Sequence, residues 1–165
     1  MTDNILVRLF EHNNWANLQI IQACSALTDE QLDAEPVSVT KGSIRVTLVY
    51  LVVSQQGYLS LLTLPVEERR HSPPVFAELE NSARASGEGL MALVENKPGK
   101  NLNKRLQTTD GYFVEPWVVL LQVINHAHEH REQIGSMLNA IGITPPDLDG
   151  WSYGEATNAL VPTSS

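Results

Sequence analysis

Cysteine and positive charge are the two features this chain has least of. Cys24 is the only cysteine in 165 residues, which excludes an internal disulfide framework and fits a reducing compartment. Lysine and arginine number 11 against 19 aspartates and glutamates, so the formal net charge is -8. General nucleic-acid binders and anionic-membrane binders need a positive field. We therefore expect neither a nucleic acid nor a membrane as partner.

Long hydrophobic runs and targeting signals are also lacking. The longest apolar stretch, residues 46–64, is interrupted by Tyr50, Ser54, two glutamines and Gly57, so no membrane span is expected. No basic start followed by an apolar run and a small-residue cleavage site indicates secretion. The 42% hydrophobic and 18% charged content is typical of a globular protein. We expect one cytoplasmic domain over residues 1–165.

Apolar residues recur at helical spacing in four long segments, at about residues 3–27, 43–64, 75–95 and 116–141. Four long helices joined by connections of varied length predict an all-α fold, an antiparallel four-helix bundle. The shorter connection between the second and third segments favours antiparallel neighbours. The longer one between the first and second favours a crossover.

The ends of these segments carry recognisable signals. Asp3 and Ser43 suit helix N-caps, Pro116 suits the first turn of the last helix, and Gly142 suits its end. Thr109-Asp110-Gly111 is a turn signal between two short stretches that can pair as a small hairpin before the last helix.

Three of the five histidines lie within five positions of the last segment. His126 and His130 are four residues apart, so on a helix they project from one face, one turn apart. They fall at the edge of the apolar stripe of that helix, where two helices meet, whereas His128 points away from it. This spacing lets two imidazoles bind one metal ion if a third donor comes from another helix. The alternative is that the two histidines only form hydrogen bonds, in the core or at its rim.

Four stretches of the chain resemble one known family, in the order that family shows. They are Asn13-Asn14-Trp15-Ala16-Asn17, similar to an N-x-W-A-N signature; Ser43-Ile44-Arg45-Val46-Thr47-Leu48; Asn125 to Gln133, similar to N-H-x-x-x-H-R-x-Q; and Pro146-Asp147-Leu148-Asp149 with Tyr153. The chain thus resembles the DinB/YfiT-like superfamily, four-helix-bundle proteins regarded as metalloenzymes. The likeness spans nearly the whole chain.

The resemblance implies a divalent ion, Zn²⁺ or Ni²⁺, held by three histidines. Carried over, two of them are His126 and His130, but the position of the helix-two histidine is occupied by Tyr50. Gln55 and Gln56 stand where the family often has glutamate. A phenol must lose its proton to bind a metal, since its ordinary pKa is about 10. The departure at Tyr50 therefore predicts weaker metal binding.

The resemblance also implies a metal-dependent enzyme, a thiol-dependent transferase or isomerase or a hydrolase, acting on a small molecule such as a low-molecular-weight thiol. No catalytic residue is assigned. Asn125 and Gln55 are candidates for supporting the ligands or the substrate. Arg131 is a candidate for binding a substrate carboxylate, or for a salt bridge with Glu129 or Asp149.

A second hypothesis is a metal-free bundle that binds a small molecule or a protein. It is favoured by the neutral side chains at Tyr50, Gln55 and Gln56, where the family has ionisable donors. A third option is a purely structural dimer, since members of the family commonly self-associate through helix faces, and the resemblance implies a homodimer.

Overall fold

The computed structural model describes residues 4–35, 42–70, 72–95, 102 and 104–163. Its elements are the helices and strands α1 (Ile5–Ser25), α2 (Asp29–Asp33), α3 (Ile44–Thr63), α4 (Leu79–Val94), β1 (Leu106–Gln107), β2 (Phe113–Val114), α5 (Pro116–Ala140) and α6 (Gly150–Ala156). The strands pair as a small antiparallel hairpin. The predicted helical bundle with a hairpin before its last long helix is confirmed.

The signals at the helix ends act largely as predicted. The side chains of Asn4 and Ser43 accept hydrogen bonds from the first-turn amides of α1 and α3. The cap of α1 is thus Asn4 rather than the predicted Asp3, which lies outside the described residues. Pro116 is the first residue of α5, and Gly142 follows that helix with a φ of 77° that suits a residue without a Cβ.

The core divides into two clusters, one toward each end of the bundle. One joins the C-terminal parts of α1 and α5 to the N-terminal parts of α3 and α4; it includes Ile20, Ile21, Leu48, Leu51, Leu79, Ala83, Ile134 and Leu138. The other joins the opposite ends of the same helices; it includes Phe10, Leu62, Leu90, Leu93, Val119 and Val123. Helices α1 and α5 therefore run in one direction, and α3 and α4 run in the other.

This arrangement corrects the prediction for the second and third long helices. The neighbouring pairs α1/α4 and α3/α5 are antiparallel, but α3 and α4 are parallel neighbours. Their connector comprises residues 64–78, of which 64–70 and 72–78 are described, and Phe76 near its end packs against the first cluster at the opposite end of the bundle. Fully extended it spans up to about 50 Å, and the 16 residues of α4 rise only about 24 Å. The connector is therefore long enough to cross from one end of the bundle to the other, so its being the shorter of the two connections does not require antiparallel neighbours.

Within the described residues, α3 is long and apolar enough to cross a membrane by length and composition alone. In this structure it packs against α4 and α5. A core helix of a bundle meets the same criteria as a membrane span, because the face that its neighbours cover is made of apolar residues.

Cys24, late in α1, lies fully buried in the first cluster. Burial raises the pKa of its thiol to about 12. The native thiol therefore stays protonated at pH values of about 9, where an exposed cysteine is largely thiolate. We expect Ellman's reagent at that pH to label the protein only in denaturant. Fast labelling of the native protein would contradict this burial.

Candidate metal centre

His126 and His130 meet on the side of α5 that faces α3. Their Nε2 atoms are 3.1 Å apart. A tetrahedral ion with metal–nitrogen bonds of about 2.0–2.1 Å separates two nitrogen donors by about 3.3 Å. The same distance suits an N–H···N hydrogen bond between two neutral rings. The pair is thus arranged so that one proton or one metal ion fits between the two nitrogens.

Gln133 orients the His130 ring from the next turn of α5. The Nδ1 atom of His130 lies 2.7 Å from the Oε1 atom of Gln133. If Nδ1 carries the proton and donates it to this oxygen, the lone pair of Nε2 points toward His126. Metal-binding histidines are held in this way by a partner on the other ring nitrogen. Asn125, predicted for such a role, is exposed and has no hydrogen bond to either ring among the described residues.

His126 is buried, with 8% of its surface exposed, while His130 is partly buried. Burial, and next the neighbouring His130, lower the pKa of His126, and Glu129 acts weakly in the opposite direction. The neutral imidazole is therefore favoured, and this is the form that binds metals.

Two tyrosines of α3 border the histidines edge-on. The Tyr50 ring centroid lies 5.1 Å from that of His126 and 5.0 Å from that of His130. The Tyr58 centroid lies 5.7 Å from that of His126. Tyr50 remains 52% exposed, so the site opens to solvent on its side. Burial raises the pKa of Tyr58, and a hydrogen bond with Gln122 acts against that rise.

Gln55 is not beside the histidines. It is buried between α1, α3 and α4, where its side-chain amide donates to the Ala83 carbonyl and to Ser86 Oγ. Its Oε1 atom accepts a hydrogen bond from Asn17. These contacts satisfy a buried amide in the core, and the predicted role of Gln55 at the metal or the substrate is not supported by its position.

Arg131 is also buried, with 3% of its surface exposed. Its Nη1 atom donates to the side-chain oxygens of Asn13 at 2.9 Å and Asn17 at 2.6 Å. The predicted salt bridge with Glu129 or Asp149 is wrong, because two amide oxygens of α1 take the place of a carboxylate. The N-x-W-A-N and H-R-x-Q stretches thus meet in one polar network.

Asn13 and Asn17 are not among the site residues predicted from the sequence. A signal was present, because both lie on the face of α1 that buries Phe10, Ala16 and Ile20. Polar residues one turn apart on an otherwise apolar face require partners. Their partner, 114 to 118 residues away in the sequence, becomes visible only in the fold.

No third histidine, cysteine or carboxylate of the described residues joins the pair, and no group of three such residues is arranged for a metal. His12 lies elsewhere, with Nε2 at 2.7 Å from the Leu148 carbonyl and its ring against Trp15 and Tyr153. His128 is exposed, as predicted. The two imidazoles supply nitrogen donors and the Tyr50 ring borders them, so a four-coordinate ion held by the pair has positions left for a third ligand, solvent or substrate.

The fold and the site define a helical bundle in which a histidine pair on the last long helix faces a tyrosine on the second. A DinB family model matches residues 1–163, and the chain belongs to the DinB family. A comparison with curated protein sequences gives no match.

Solved structures of DinB-like proteins share this fold. A DinB family member from Exiguobacterium sibiricum aligns with a TM-score of 0.67 at 19% identity, covering 90% of this chain and 99% of its own. A DinB-like protein from Bacillus cereus aligns with a TM-score of 0.64 at 18% identity, covering 86% and 94%. One from Bacillus subtilis aligns with a TM-score of 0.66 at 14% identity, covering 88% and 99%.

Proposed function

We propose that the protein is a metal-dependent enzyme whose divalent ion, Zn²⁺ or Ni²⁺, is bound by His126 and His130 with Tyr50 as a third donor. The observation that carries this is the convergence of the two Nε2 atoms at 3.1 Å, with Gln133 placed to fix the tautomer of His130. An Nε2 lone pair oriented in this way is what a metal ligand requires, and in a metal-free protein it accepts a hydrogen bond from His126 instead.

When bound, such an ion lowers the pKa of a coordinated thiol or water and so supplies a nucleophile at neutral pH. The chain's own residues set the conditions for that chemistry. Burial keeps His126 neutral, and Gln133 holds His130 in position. The exposed side at Tyr50 leaves an approach for a small substrate. We assign the reaction to the thiol-dependent transferase, isomerase or hydrolase type, with a low-molecular-weight thiol as substrate, on the resemblance described above.

A second candidate is a metal-free binding module. It is favoured by the donor set, since the described residues offer only two imidazoles where a strong site has three or more ionisable or imidazole donors. In that case the 3.1 Å contact is a hydrogen bond between neutral rings. Thermal unfolding separates the candidates, because an ion bound only by the folded state raises the melting temperature and a chelator reverses the rise.

Metal content tests the proposal directly. We expect protein purified without nickel resin to carry a stoichiometric divalent ion by plasma mass spectrometry. His126→Ala and His130→Ala should each lose it, because each removes one of the two nitrogen ligands. Gln133→Ala should weaken binding by about 10–100-fold, the usual effect of removing a supporting partner.

His128→Ala is the matched control, because His128 lies on the same helix between the two ligands but is exposed. It should keep the ion. Equal metal loss in His128→Ala and His126→Ala would indicate surface binding, and an ion-free wild-type protein that ignores added Zn²⁺ would support the binding module instead.

A further inference from the structure

A cavity of about 320 Å³, with more apolar than polar surface in its lining, lies beside the histidine pair. Its lining comes from α3, the connector and the hairpin turn: Ser54, Gly57, Tyr58, Leu61, Arg69, Thr108 and Thr109. We call it the Arg69 cavity. None of the described residues that line it is acidic, although the chain as a whole carries a formal net charge of -8. Arg69 gives this lining one positive charge, alongside the hydroxyl-bearing residues Ser54, Tyr58 and Thr109.

Arg69 is fixed in place by the backbone. Its Nε atom donates to the Leu64 carbonyl at 2.9 Å, and its Nη1 atom donates to the Gln107 carbonyl at 2.5 Å. These contacts use two of the five N–H groups of a guanidinium. Within the described residues it has no salt bridge with a carboxylate. A positioned cation thus retains donors for a ligand.

The cavity adjoins the candidate metal centre through α3. Tyr50, Ser54 and Tyr58 are spaced four residues apart, so they form one ridge along that helix. Tyr50 contacts both histidines, and Tyr58 contacts His126 while it also lines the cavity. Tyr50 and Ser54 are separated by a rise of about 6 Å along the helix. One small molecule can therefore touch the histidine pair and the Arg69 cavity together.

We propose that the Arg69 cavity binds an oxyanion, a carboxylate or a phosphate ester, of the substrate. The positioning of the substrate thiol at the histidine pair rests on the proposed function, whereas the oxyanion site itself does not. Arg69 is the specificity residue, because its planar fork matches the oxygens of either group.

The oxyanion site is tested first on chelator-treated protein, without metal. Propionate and inorganic phosphate are titrated separately while backbone amide shifts are followed by NMR, and the probe that binds more tightly names the oxyanion. We expect saturable shifts at Arg69 and Thr109, with affinity about tenfold lower in Arg69→Gln, the scale of one charge-assisted hydrogen bond.

Two further variants control for the loss of charge and for misfolding. Arg70→Gln makes the same charge change at the next residue, which lines a different cavity, and should leave binding unchanged. Thr109→Glu adds a carboxylate at an exposed turn position and should repel the probe without disturbing the bundle. Should Arg69→Gln fail to fold, Thr109→Glu still tests whether the anion binds in the Arg69 cavity. Equal affinity in wild type, Arg69→Gln and Thr109→Glu overturns the site.

The link to the histidine pair is tested with cobalt-loaded protein, glutathione and glutathione diethyl ester, which share one thiol but differ in their carboxylates. The thiolate-to-cobalt absorption band reports binding at the metal. We expect the free acid to bind about tenfold more tightly than the ester in wild type and equally in Arg69→Gln. Equal binding in wild type overturns the link. Failure to bind cobalt, with Arg69-dependent anion binding intact, overturns the proposed function but supports the oxyanion site.

Discussion

Tyr50→His is expected to raise the affinity for Zn²⁺ by about 100-fold. A phenol that must first lose its proton contributes little to binding at neutral pH, so the histidine counts as an added ligand. Structural zinc sites gain about 10–16 kcal/mol from four ligands, or about 3 kcal/mol per ligand, which corresponds to about a 100-fold change in affinity. The Tyr50 ring lies 5.0–5.1 Å from both imidazole rings, so a histidine at this position faces the same point. Its neutral nitrogen needs no deprotonation to bind, unlike a phenol.

The substitution should leave the fold unchanged, because Tyr50 is 52% exposed and lies outside both core clusters. Affinity is measured by competition with a zinc indicator, and Tyr50→Phe is the matched control. Loss of affinity in Tyr50→Phe identifies the phenol as a ligand. Unchanged affinity in Tyr50→Phe with a gain in Tyr50→His indicates that solvent occupies this position in the wild type.

No gain in Tyr50→His would mean that the two imidazoles do not converge on a metal from the side of α3. The 3.1 Å contact would then be a hydrogen bond in a metal-free bundle. The zinc affinity of Tyr50→His thus discriminates between a metal-dependent enzyme and a metal-free binding module.

The sequence was sufficient for features that depend on local spacing. Helical periodicity and end signals such as Ser43, Pro116 and Gly142 predicted the long helices, and the Thr109-Asp110-Gly111 turn signal predicted the hairpin before α5. The pairing of His126 with His130 follows from their separation by one turn on one helix. Neither inference needs knowledge of which helices are neighbours.

The sequence was insufficient wherever two helices had to be placed against each other. The direction of α4 depends on the connector at 64–78. This connector is long enough for α4 to run either parallel or antiparallel to α3. A carboxylate partner was predicted for Arg131 because a guanidinium commonly pairs with a negative charge. Its partners are instead the side-chain amide oxygens of Asn13 and Asn17 on another helix. The Arg69 cavity likewise joins α3 to a hairpin turn about 50 residues further on, and composition gave no sign of it.

Arg131→Met is expected to lower the free energy of unfolding by about 3 kcal/mol. The substitution leaves the side-chain oxygens of Asn13 and Asn17 buried without their donor, at about 1–3 kcal/mol each. Methionine offsets part of this, because burial of the guanidinium is itself unfavourable and lowers the pKa of Arg131 to about 10. In a chain of this size the net loss corresponds to a melting temperature about 6–12 °C lower.

Arg84→Met is the matched control. Arg84 is an exposed residue of α4 that pairs with Glu80 one turn earlier. Exposed pairs of this kind contribute about 0.3–0.5 kcal/mol. Comparable destabilisation in both variants would show that loss of charge alone, rather than the buried network, accounts for the effect.

Asn13→Leu in the Arg131→Met background distinguishes the network from simple loss of packing. Asn13 is fully buried; among the described residues its oxygen is bonded only to Arg131, and its side-chain nitrogen has no partner. Removing both sides of a buried polar contact leaves nothing unsatisfied at that contact, so the double variant should regain about 1–2 kcal/mol relative to Arg131→Met. Alone, Asn13→Leu should cost less than Arg131→Met, because Arg131 retains Asn17. Strictly additive losses in the double variant would mean that Arg131 stabilises the bundle through packing of its alkyl chain. The hydrogen bonds to the side-chain oxygens of Asn13 and Asn17 would then contribute little.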